Sequence, residues 1–150
     1  MSDTLIHRRN LDQLADLLRR AGYRATVASD GGRPLVQSAA QGLGFLLMPG
    51  NAASEEPGSY VDFSFNCLIR LEQKLSSSQI ESWNEGKRFG RCFQRDGLLA
   101  LALDVMLVGG VSDRYLLSQC ELWDRLMHDF IAHLRQPAPA AAAPAATGQE

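Results

Sequence analysis

The side chains capable of chemistry in this 150-residue chain are few and scattered. His7 stands alone near the start, and His128 and His133 lie five residues apart. Five residues turn a helix of 3.6 residues per turn to a separation of about 140°, so the two do not share a metal as an i, i+4 pair would. They read as exposed histidines on a helix flank. Cys67, Cys92 and Cys120 are odd in number and widely spaced. Without a CxxC pair they write neither a disulfide framework nor a zinc cage, and reduced, buried thiols are the expectation. No GxSxG, HExxH or P-loop pattern occurs. Asp62 and Asp104 are the carboxylates that acid and base work would use. Arg91 and Arg95 are at hand to neutralise them, so a structural ion pair is expected instead. Gly109-Gly110-Val111-Ser112 leads into a helix start, where free N–H groups can hold an anion. A sharp turn capped by Ser112 explains the same residues. No catalytic residue, metal ligand or cofactor is expected.

The composition narrows the class. Fifteen basic against seventeen acidic residues leave a net charge of −2, which gives no basic footprint for nucleic acid. The first residues, MSDTLIHRRNLDQL, lack the apolar core of a signal peptide, and no stretch reaches the roughly 20 apolar residues of a membrane helix. A cytoplasmic protein without membrane insertion follows. The length suits one domain with its own core, expected over residues 1–136. Residues 137–150, PAPAAAAPAATGQE, offer nothing large to bury. Prolines at 137, 139 and 144 interrupt any helix, so a disordered Ala/Pro-rich tail is expected.

Elements that would position the polar groups are legible along the chain. Asn10 with Gln13 three residues on, then Leu11, Leu14, Leu18 and Ala21, predict a first helix that ends at Gly22. Tyr23–Ala28, Leu35–Ala40 and Leu43–Met48 predict three strands in a meander, the first turn lying over residues 29–32. Pro49 to Gly58 reads as a polar loop. Val61, Phe63, Phe65 and Cys67 alternate with Asp62, Ser64 and Asn66, which predicts a half-buried antiparallel strand. Ser78 and Glu81 suggest a capping box for a short helix carrying Ile80, Trp83 and Asn84. Phe89 to Arg95, the Asp96-Gly97 loop and Leu98 to Val108 form a hairpin. Ser112 then caps a long helix with Leu116, Cys120, Trp123, Met127, Phe130 and Leu134 on one stripe.

The hairpin register separates two faces. A two-residue loop sets Arg95 opposite Leu98, Arg91 opposite Ala102 and Phe89 opposite Asp104. One face holds Cys92, Leu99, Leu101, Leu103, Val105 and Leu107, the seat of the helices. The other holds Phe89, Arg91, Phe93, Arg95, Ala100, Ala102, Asp104 and Met106. Asp104 lies diagonally across from Arg91 and should pair with it, with Asn84 or Arg88 as further donors. The mixture of Phe89, Phe93 and Met106 with Arg91 and Arg95 is of the kind enriched at protein interfaces, so these residues and Asp104 are the candidate partner-binding site. Coverage by the protein's own loop or helix explains the same composition.

At these positions the chain resembles the YbjN family of bacterial sensory transduction regulators, whose fold is similar to that of type III secretion chaperones. The resemblance is carried by Ile80, Trp83-Asn84, Arg88-Phe89-Gly90-Arg91, Leu103-Asp104-Val105 and Gly109-Gly110-Val111, and it spans roughly residues 10 to 134 in order of elements. It implies a non-enzymatic α+β domain with an antiparallel sheet, an N-terminal helix, a short middle helix and a long C-terminal helix (α-β4-α-β2-α). It implies a homodimer in a regulatory or chaperone-like role, with an unknown protein partner. A small-molecule or anion-binding sensor is the alternative. The Pro49–Gly58 loop and the Ala/Pro tail fall outside the family's pattern.

Overall fold

The computed structural model describes residues 4–72 and 75–136; the expected tail at 137–150 lies outside the described residues. The elements run β1 (Arg9–Asn10), α1 (Leu11–Arg20), β2 (Thr26–Asp30), β3 (Arg33–Ala40), β4 (Leu43–Pro49), β5 (Ser59–Tyr60), β6 (Asp62–Arg70), α2 (Ser77–Gly86), β7 (Arg91–Arg95), β8 (Leu98–Met106) and α3 (Asp113–Arg135). The α+β class and the order of its three helices are as expected. Six strands form one antiparallel sheet in the order β2-β3-β4-β6-β8-β7. A second, two-stranded ribbon of β1 and β5, unforeseen in the sequence, ties the start of α1 to the 50s loop.

Local chemistry accounts for the helix starts. The Asn10 side chain accepts from the Gln13 amide while the Gln13 side chain accepts from the Asn10 amide, a reciprocal box that satisfies two orphan donors. In α2 the box is formed by Ser76 and Gln79, two residues earlier than the expected pair of Ser78 and Glu81. Ser112 caps α3 through the Tyr115 amide.

The core lies on one side of the sheet. Leu14, Leu17 and Leu18 of α1 and Leu116, Cys120, Trp123, Met127 and Phe130 of α3 pack in one cluster with alternate strand residues. Those strand residues include Val36, Phe45, Leu47, Phe65, Cys67, Leu99, Leu101 and Val105. Trp123 stacks on Phe65 at 5.3 Å and meets Phe45 edge-on at 5.7 Å, the aromatic centre of that layer. Helix α1 is tied to α3 by Arg20 and Asp113. Both side chains are over two-fifths exposed, so the pair contributes at most about 1 kcal/mol. The first hairpin turns tightly over Gly31-Gly32 with Asp30 paired to Arg33, inside the broader turn expected over residues 29–32.

Candidate partner-docking face

The opposite side of the sheet carries no helix of the core cluster. Its rows follow from the register: Arg70, Leu98 and Arg95 lie side by side, then Leu68, Ala100 and Phe93, then Asn66, Ala102 and Arg91. Asp104 lies beside Ser64, and Met106 beside Asp62. Ala100 and Ala102 are buried although no core side chain covers them, because larger neighbours on β6 and β7 stand higher on both sides. Leu68, which is 45% exposed, and Phe93 therefore form the apolar surface on either side of Ala100. The Arg91 and Arg95 guanidinium carbons lie over the Phe93 ring, at 5.1 and 5.6 Å from its centroid. Arg91 also reaches Asp104 at 3.4 Å, the expected pair. Both of its side chains are about three-fifths exposed, so it contributes little to stability.

The structure corrects two details of the expected site. Phe89 does not sit opposite Asp104, because the ladder begins at Arg91. Gly90 has φ +82° and turns the chain off the sheet, and a Cβ there would come within 3.1 Å of Leu126. Phe89 is 52% exposed and lines a hollow of about 420 Å³ with Arg88, Arg91 and Asp104. Asn84 is not a donor to Asp104 either. Its side chain donates to the Cys92 carbonyl and accepts from the Cys92 amide, each at 2.9 Å, as the residue of a neighbouring strand would. Trp83 adds a third bond from its indole N–H to the Gly90 carbonyl at 2.9 Å. Gln94 donates to the Leu75 carbonyl at 2.9 Å. The Trp83-Asn84 pair thus closes the outer edge of β7, the sheet edge that would otherwise offer unpaired N–H and C=O groups. The alternating pattern predicts the strand only to Cys67, whereas β6 runs on to Arg70 and adds Leu68 and Arg70 to this face.

The YbjN profile, described as "Putative bacterial sensory transduction regulator", matches residues 10–136. The chain belongs to the YbjN family. No curated protein matches the chain, and no solved structure matches it. In this YbjN chain the residues around β7 divide by task. Trp83, Asn84 and Gly90 hold α2 to the sheet edge, while Arg88, Phe89, Arg91 and Asp104 border the open hollow.

The remaining candidates of this YbjN domain have structural partners. Asp62 accepts from the Asn51 amide at 2.8 Å and the Asn51 side chain at 2.7 Å, fixing the turn after β4. Both of its oxygens are thus engaged by Asn51. Gly110 has φ +89° and lies against the N-terminal segment, where a Cβ would sit 2.9 Å from His7 and 3.1 Å from Leu5. Ile6 and Val111 bridge across that turn. Asp113 occupies the first turn of α3, where its carboxylate interacts with the helix dipole and with Arg20. His133 departs from the expected exposed flank. Its Nε2 lies 2.8 Å from the Gln79 carbonyl and its ring meets Trp83 edge-on at 5.5 Å, so it fastens α2 to α3. Among the described residues, no group of three or more His, Cys, Asp or Glu could hold a metal ion.

A hollow of about 750 Å³, unforeseen in the sequence, lies between the end of α1 and α3. Tyr23 donates to Asp124 at 3.1 Å there, and burial together with that carboxylate pushes the phenol above its usual range. The group is a polar clasp between the first turn and α3. All three cysteines are buried. Burial pushes the Cys67 and Cys92 thiols up to about 11 and Cys120 up to about 12. Since the thiolate is the reactive form, the folded protein should resist iodoacetamide at neutral pH, all three sites labelling only after denaturation. Mass spectrometry of native and urea-treated samples reads this directly.

Proposed function

We propose that this YbjN protein is a non-catalytic regulator that acts by docking a partner polypeptide on the helix-free face of its sheet. One observation carries the reading. The core helices cover one face, while the other presents Phe93 beneath two guanidiniums, with Leu68, Phe89 and Met106 each over two-fifths exposed. Aromatic, Met and Arg side chains together are what a recognition surface uses. The element order, one helix, four main strands, a helix, a hairpin and a long helix, supports a chaperone-like role of the type III secretion chaperone kind.

The protein works as a homodimer in this reading, and the β2 edge supports it. In a hairpin closed by Asp30 and Arg33, Val27 and Ser29 direct their backbone N–H and C=O groups outward. Among the described residues no side chain covers them as Asn84 covers β7, so a second copy can extend the sheet there.

Phe93→Asp tests the docking face. Arg91 and Arg95 flank the new carboxylate, so the fold tolerates it, and circular dichroism should stay unchanged. Partner capture should weaken by about thirtyfold or more, the loss of one aromatic anchor of about 2 kcal/mol. An unaltered set of partners at unaltered affinity contradicts the assignment.

A further inference from the structure

We propose that the segment docking on this face is acidic: it sets carboxylates against Arg70, Arg88, Arg91 and Arg95 and lays one or two apolar side chains against Leu68 and Phe93. The inference rests on the docking reading and adds the partner's chemistry.

Charge carries the argument. The whole chain is net −2, yet this corner gathers those four arginines, with Asp104 beside Arg91 and Asp96 in the hairpin loop. Arg70 and Arg95 flank Leu98 in one row, and Arg91 follows two rows along the same face. Arg88 borders the adjoining hollow. Among the described residues Arg70, Arg88 and Arg95 make no ion pair, and Arg91 has only its exposed contact with Asp104. Arg70 and Arg95 stand on the strands either side of β8, so an anion seated over Leu98 has a guanidinium on each flank.

The geometry selects a carboxylate-bearing polypeptide. Arginine forks match carboxylates with two parallel hydrogen bonds. The Phe93 ring holds two of these forks in place before the partner arrives, which reduces the ordering cost of binding. Leu68, 45% exposed beside these arginines, offers an apolar contact to a polypeptide side chain, which a phosphate backbone lacks.

Fluorescence anisotropy on the full chain tests the proposal with four labelled probes: a peptide of repeating Glu-Glu-Leu, its Gln-Gln-Leu and Lys-Lys-Leu counterparts, and oligothymidine of matched charge. The acidic peptide should bind, less tightly as salt rises, and the other three should bind at least about tenfold more weakly. The double variant R70E/R95E should lose about tenfold or more for the acidic peptide while melting at the wild-type temperature, since both side chains are exposed. Equal binding of the Gln-Gln-Leu peptide or of oligothymidine overturns the proposal. So does an acidic peptide that fails to bind, or one that binds R70E/R95E unchanged. If that happens while Phe93→Asp still abolishes capture of the cellular partner, the docking face stands and only its acidic preference falls.

Discussion

Trp83→Ala should destabilise the protein by about 3–5 kcal/mol, the usual cost of deleting a large buried aromatic. Trp83 is 2% exposed and is the buried residue of α2. It meets Phe130 edge-on at 5.5 Å, carries Lys87 over its ring at 5.0 Å and donates to the Gly90 carbonyl. Alanine removes the packing, strands that carbonyl and takes away the anchor of a ten-residue helix. A helix of that length does not persist alone in water, so α2 should detach from β7 and α3. Urea denaturation followed by far-UV circular dichroism would show a lowered midpoint. Trp83→Phe keeps most of the packing without the N–H and should fall between the two. A loss below about 1 kcal/mol for the alanine variant would mean that α2 is held by something other than this side chain.

Asn84→Ala should follow in size, at about 1–3 kcal/mol, because it removes two hydrogen bonds and leaves the Cys92 N–H and C=O without partners. The more telling readout is local. Hydrogen exchange at the Cys92 amide should accelerate well beyond what the global loss explains, while the Leu101 and Leu103 amides keep their protection. Asn84→Asp retains the acceptor, loses the donor and turns a carboxylate towards the Cys92 carbonyl, so it should be at least as costly as alanine. An unchanged Cys92 exchange rate would show that the amide does not close the edge.

How far the sequence reveals this arrangement depends on whether the deciding forces are local. The Asp96-Gly97 loop fixes its hairpin register, since Asp96 at φ +51° and Gly97 at φ +79° adopt the left-handed pair that a two-residue turn demands. The Arg91–Asp104 pair and the two faces then follow. The start of α2 was less determinate. Ser76 with Gln79 and Ser78 with Glu81 both satisfy the capping spacing, and the fold uses the first. The ribbon of β1 and β5 has two residues in each strand, too few for any alternation to show. Asn84 looked like a surface donor because its partner, Cys92, lies beyond the helix end, and only the return of the chain at Gly90 brings the two together. His133 is illegible in the sequence for the same reason, its partner Gln79 being 54 residues away.

A photocrosslinking amino acid placed at Phe93 in the native bacterium tests the proposed docking face most directly. A second site at Ser118, exposed on α3, serves as the control on the helix side. Adducts to a defined polypeptide from Phe93, absent from Ser118, are the predicted result. Adducts from Ser118 with none from Phe93 would contradict it, placing recognition on the helices instead of the sheet.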